Sequence, residues 1–224
     1  MAEQVKLKRR HIKEDKFADF VLVARHQLTE NWQMLVIGLV VVALLVAGAF
    51  WFMSFEKDKQ MESATVLSHA LMEYRSGNFE NAVAGMNQVI TDNNNANAVQ
   101  QAVFMLGSIN LERKNYAEAT RYFEQYVCDY KDNKLHLAAS LAGIALSMES
   151  QSQFAQAADK YLEAIKVDTT GALADEYHLS AMRNYIDAGN AAAAKEQLDY
   201  IKAHYEGTSV GARAEMIYAQ KMKG

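Results

Sequence analysis

Four alanines constrain this chain more than any other feature. Ala82, Ala119, Ala157 and Ala194 stand 37, 38 and 37 residues apart. Each lies three positions after Phe79, Tyr116, Phe154 or Ala191. In the stretch KNYAEATRYFEQYV, residues 114–127, Ala119 is ringed by Tyr116, Tyr122, Phe123 and Tyr126. A small residue among large ones on an amphipathic helix lets a second helix come close. Its return at a near-constant interval means that the same close approach is built repeatedly, the mark of a helical solenoid.

Aligned on these alanines, each unit reads as two helices. Unit two carries Leu106-Gly107 on its first helix and Tyr116, Ala119, Phe123 and Tyr126 on its second. Gly107 and Ala119 are expected to meet where the helices cross, with the aromatics filling the space on either side. Unit one has Ala70, Phe79, Ala82 and Met86; unit three has Ala145, Phe154, Ala157 and Tyr161; unit four has Met182, Ala191, Ala194 and Leu198. Asn78, Asn115 and Asn190 precede the second helices, where an Asn side chain caps free backbone N–H groups. Gly77 and Gly189 suit the left-handed end of the helix before. The stretch TSVGARAEMIYAQKMKG reads as one further helix covering the last apolar face. The chain contains no proline, which suits an almost wholly helical protein.

A second feature divides the chain. Residues 34–55, MLVIGLVVVALLVAGAFWFMSF, carry no charge. At about 1.5 Å per residue they reach roughly 33 Å, enough for a hydrocarbon core. Trp32 and Trp51 stand near the two ends, at the depth where indole rings settle. Ala47 to Ala49 resemble a signal-peptide cleavage site, but the apolar run continues through Phe50, Trp51, Phe52 and Phe55, which favours an uncleaved anchor. Residues 1–33 balance at +2, with Lys6, Lys8, Arg9, Arg10 and Lys13 together, while Lys57 and Lys59 alternate with Glu56 and Asp58. That asymmetry places the N-terminus in the cytoplasm. Between Glu14 and Gln33, Phe17, Phe20, Val21, Ala24 and Leu28 form one helical face. It is expected to lie on the cytoplasmic leaflet or to bind a small partner. Residues 56–224 then form the solenoid domain.

Little in the sequence points to chemistry. The region from 56 onward balances at −6, a poor match for nucleic acid. GNAAAAK lacks the phosphate-cradle spacing. No two histidines lie three to five residues apart, so helical metal pairing is not expected. Cys128 is alone, which excludes an internal disulfide, and it is expected to be buried. No cofactor, metal or catalytic residue is expected, and the chain is read as a non-enzyme.

The Leu-Gly pair, the aromatic, the small Ala and the second aromatic resemble the tetratricopeptide repeat. The proline usual at the end of that repeat is replaced by Asn94, Lys131, Thr169 and Glu206. Taken with the amphipathic stretch, the apolar segment and the last helix, this resemblance gives the expected all-α fold: an N-terminal amphipathic helix, a single transmembrane helix, then a helical-hairpin solenoid of about four repeats with a C-terminal capping helix. It also implies that the first helices line a concave, partner-binding face through Leu67, Leu71, Tyr74, Phe104, Leu111, Leu146, Leu179, Arg183 and Ile186. The packing positions are Ala82, Gly107, Tyr116, Ala119, Phe123, Phe154, Ala157, Tyr161 and Ala194. The whole layout is similar to the ancillary SecYEG translocon subunits, the YfgM-like family. That likeness implies a bacterial inner-membrane protein with a periplasmic domain, and as partners the translocon, a periplasmic folding factor and exported clients. A structural adaptor in an envelope complex and a cytosol-facing targeting receptor stay open as alternatives. Topology separates the last from the others; co-purified partners separate the first two.

Overall fold

The computed structural model describes residues 32–168, 171 and 173–221, apart from the side chain of Leu35. The basic cluster and nearly all of the amphipathic stretch expected before Gln33 lie outside the described residues. Among the described residues there are nine helices and no strand: α1 (Trp32–Arg75), α2 (Phe79–Asp92), α3 (Ala96–Glu112), α4 (Tyr116–Asp129), α5 (Lys134–Ser150), α6 (Phe154–Val167), α7 (Ala174–Asp187), α8 (Ala191–His204) and α9 (Ser209–Lys221). The chain falls into two compact units, dividing between Lys57 and Asp58.

The N-terminal unit contains the apolar part of α1, which is long and apolar enough to cross a membrane. None of its most apolar stretch is buried within the protein. Trp32 and Trp51 are exposed, and Trp51 stacks on Phe55 with ring centres 5.9 Å apart. A helix apolar on every side, with its most apolar stretch left exposed by the described residues, suits lipid as its solvent.

The C-terminal unit is a solenoid of helical hairpins. The end of α1 packs on α2, with Leu67 and Ala70 in one cluster with Ala82 and Met86; α3 pairs with α4, α5 with α6 and α7 with α8, and α9 packs on α7 and α8. All four hairpins close through the same turn. Gly77 N–H donates to the Tyr74 carbonyl and Asn78 N–H to the Glu73 carbonyl; Lys114 and Asn115, Ser152 and Gln153, and Gly189 and Asn190 repeat both bonds at their own turns. This is the Schellman arrangement, which satisfies the last carbonyls of a helix and needs a left-handed residue. That residue is Gly77 (φ 80°), Lys114 (φ 61°), Ser152 (φ 61°) or Gly189 (φ 75°).

The asparagines act differently from expectation. Asn190 does cap, accepting from Ala193 N–H at 3.2 Å. Asn78 and Asn115 make no side-chain cap; the Asn78 side chain donates to Glu73 instead, at 2.8 Å. The side-chain caps of α3 and α5 come from Asn95 and Asn133, in the connections between units.

Packing follows the recurring small residues. Ala82, Ala119, Ala157 and Ala194 have no exposed surface. In unit one, a Cβ on Gly85 would come within 2.9 Å of the Ala70 Cβ, so α1 and α2 cross small against small. Unit two adds a ring to its crossing: the nearest atoms to a Cβ on Gly107 would belong to Phe123, at 2.7 Å. Gly143 of the next unit meets the same ring from its other edge. The Phe123 ring therefore lies in a slot between α3 and α5, and Ala119 packs in a cluster with Phe123 and Ile144. Tyr161 is buried, while Tyr116 and Phe154 are half-buried.

Polar groups link the layers. The buried Tyr126 hydroxyl accepts from Gln100 at 2.6 Å, and the Tyr185 hydroxyl donates to Asp159 at 2.7 Å. His178 is buried, stacked on Tyr200 at 4.1 Å and bonded to Gln197 at 2.8 Å. Burial pushes its pKa down, which holds it neutral. Cys128 is exposed, contrary to expectation, because it lies on the outward side of α4. The last unit is closed by Val210, Gly211 and Ala214 of α9.

Two outcomes test this packing. Gly143→Leu forces a side chain into the Phe123 ring and should cost about 1–3 kcal/mol, measured as a lower urea midpoint; an unchanged midpoint would refute the slot. Lys114→Gly relieves a left-handed backbone at an exposed turn and should raise stability by about 0.5–1 kcal/mol.

Candidate functional site

A solenoid built from helix pairs turns its first helices toward one side. Here that side holds a groove of about 600 Å³ within the C-terminal unit. Its walls are Tyr74 on α1, Phe104 and Leu111 on α3, Leu146 on α5 and Tyr177 on α7. Small residues form much of its floor: Ser108, Ala139, Ala142, Gly143 and Ser180. On α5, Ala139, Ala142, Gly143 and Leu146 fall at the spacing of one helical stripe. Three small side chains in that stripe leave the space that the larger neighbours enclose.

Of the nine residues expected on the concave face, four line the groove: Tyr74, Phe104, Leu111 and Leu146. Leu146 is 41% exposed. Leu67 and Leu179 are corrections. They are 5% and 1% exposed and belong to the core. Leu67 packs in one cluster with Val99 and Val103 of the next unit, and Leu179 with Leu198 and Val210. Leu71 and Ile186 are half-buried against those same clusters. Arg183 is held by Glu149, Nη2 to Oε1 at 2.7 Å, and does not line the groove.

Phe104 is anchored as well as presented. It stacks on His136 with centres 4.4 Å apart and meets Phe123 and Tyr126 edge-on or tilted. Burial keeps His136 below the usual imidazole pKa, so the ring beside Phe104 is neutral near pH 7.

Two carboxylates, Glu112 and Glu176, line the groove, and Glu149 lies behind it, bonded to the lining Tyr161. The Tyr74 hydroxyl donates to Glu112 Oε2 at 3.0 Å. Burial, and then Glu112, raise the Tyr74 pKa, so it stays a proton donor. Glu176 pairs with Arg213 at 2.6 Å. Glu149 takes Arg183, Asn184 Nδ2 at 2.9 Å and the Tyr161 hydroxyl at 3.4 Å. Burial and Glu149 push the Tyr161 hydroxyl far above its ordinary range. Among the described residues, no group of three His, Cys, Asp or Glu side chains could hold a metal ion. What the groove offers is apolar and aromatic surface edged by hydrogen-bonding groups, the make-up of a surface that buries part of another molecule.

Sequence reasoning misses the small floor residues and Tyr177. Ser108 and Ala142 occupy the same repeat offsets as Leu146 and Phe104, so the period is a signal that could find them. A search for large apolar side chains passes over both.

Comparison with known proteins agrees with the fold. The solved structure of MamA from AMB-1 superposes with a TM-score of 0.54 at 14% identity, covering 67% of this chain and 77% of that one. Among curated proteins, none matches this sequence. The family model described as a tetratricopeptide repeat-like domain matches residues 25–177, more than half of the chain. With the repeated turns and the buried alanines already described, that match establishes that the chain belongs to the tetratricopeptide repeat-like domain family.

Proposed function

We propose that this protein is a non-enzymatic scaffold of the bacterial inner membrane. In this reading it is anchored by residues 34–55 with its N-terminus in the cytoplasm and its solenoid in the periplasm. There it serves beside the SecYEG translocon, with a periplasmic folding factor, on exported proteins. One observation carries the binding role: an apolar groove of about 600 Å³, lined from several repeat units, that the described residues leave open. A helix apolar enough to span a membrane supports the anchor. The layout shared with ancillary translocon subunits supports the translocon role.

The topology test is protease protection. With the outer membrane permeabilised, added protease should digest the protein beyond about Lys57 and spare the N-terminal basic cluster. The reverse pattern would put the groove in the cytosol and favour a targeting receptor.

The groove test uses Leu146, which is exposed and whose replacement leaves the core intact. Phe104→Asp is a poor probe, because Phe104 stacks inside the structure and its loss would unfold the unit. Leu146→Asp places a charge where an apolar partner must lose water. Crosslinking of exported clients should fall about tenfold or more, with the circular dichroism melting curve unchanged. Undiminished crosslinking would remove the groove from the function. Crosslinks to a single defined complex, in place of translocon subunits and varied clients, would favour the adaptor reading.

A further inference from the structure

We propose that the groove selects segments in which a short apolar stretch adjoins a lysine or arginine, with the apolar side chains on Leu111, Leu146 and Tyr177 and the cation on Glu112. This rests on the groove being a binding site and concerns what it takes.

The argument is charge complementarity. Glu149 and Glu176 are already matched to Arg183 and Arg213. Among the described residues, Glu112 has no such ion pair; its hydrogen-bond partner is the Tyr74 hydroxyl. That bond occupies Oε2 and fixes the carboxylate at the groove's edge, leaving Oε1 to accept from a newcomer. Glu112 is also the last residue of α3, which carries no basic residue in its final turn. The following residue, Arg113, faces the separate hollow formed with Gly77, Asn78 and Glu80, and Lys114 is exposed in the turn. The Glu112 carboxylate thus stands at one corner of an apolar groove, and a cation is the group that it would favour. A neutral apolar segment would leave the corner empty, and an acidic one would be repelled.

The experiment uses the full-length protein in lipid nanodiscs and three synthetic fluorescent peptides. They share one apolar sequence and differ only in flanking Lys, Gln or Glu. Binding is read by fluorescence anisotropy. The Lys-flanked peptide should bind about fivefold more tightly than the Gln-flanked one, the scale of an exposed ion pair, and the Glu-flanked peptide more weakly than either. The preference should shrink as salt rises. In Glu112→Gln it should fall below about twofold, with affinity for the Gln-flanked peptide unchanged; Glu112→Asp should keep part of it. A preference that survives Glu112→Gln overturns the inference. So does equal binding of all three peptides that Leu146→Asp weakens, an outcome that leaves the groove itself standing. Absence of binding, or binding indifferent to Leu146→Asp, overturns the groove reading as well. Self-association that blocks the peptides and is relieved by Leu146→Asp would put a second copy of this chain in the groove, and would also overturn the inference.

Discussion

The close approach of helices at positions without bulk is the interaction on which the rest of this structure depends. At Ala82, Ala119, Ala157 and Ala194 no surface remains exposed, so each methyl group is wholly covered by its neighbours. The glycines take this further. Because Gly107 and Gly143 lack a Cβ, the Phe123 ring fits between α3 and α5 and touches both. Burying a ring of that size contributes on the order of 1.5–3 kcal/mol. It does so across the joint between two units, where a solenoid needs nearest-neighbour energy most.

Close packing requires that each second helix return at the same angle, and the turns supply this. The same pair of hydrogen bonds closes all four hairpins. Two turns use glycine at the left-handed position; two use Lys114 and Ser152. A non-glycine there costs on the order of 1–2 kcal/mol. The geometry is kept in spite of that cost, because a different turn would lift the following helix away from its small contact residues. Turn and small residue are therefore one device, and together they bring the first helices onto a common side.

Much of this is legible in the sequence because it is local. The period, the helix pairs, the capping helix and the apolar segment all follow from residues close in sequence. What needs the folded structure is the pairing between faces. The repeat pattern sets Gly107 against Ala119 but does not reveal that the Phe123 ring, four residues further on the same helix and so on the same face, lies against Gly107. Asn78 and Asn115 precede helices as caps should. Their side chains are nonetheless drawn elsewhere, Asn78 to Glu73 and Asn115 to Asn110. The general tendency of cysteine assigns Cys128 to the core, but its place on α4 turns it outward. The groove is half legible. Large apolar residues on first helices are easy to single out, but Leu67 and Leu179 are covered by neighbouring elements. The floor is not legible, because an alanine lines a cavity only through what fails to cover it.

One repeat offset explains why the groove lies where it does. Leu67, Phe104, Ala142 and Leu179 each stand 15 residues before a recurring alanine. In the two end units the offset is leucine, and both leucines are buried in the clusters that join their units to the neighbours. In unit two it is Phe104, half-buried and braced by His136. In unit three it is Ala142, too small to fill the space that a leucine would take. A wall beside a gap results, and the opening follows from a difference in size between equivalent positions in adjacent units. A perfectly regular repeat would have filled the same space in every unit. The irregularity at Phe104 and Ala142 is thus what separates a closed stack of hairpins from one with room for part of another molecule, while the buried leucines at either end keep the stack intact.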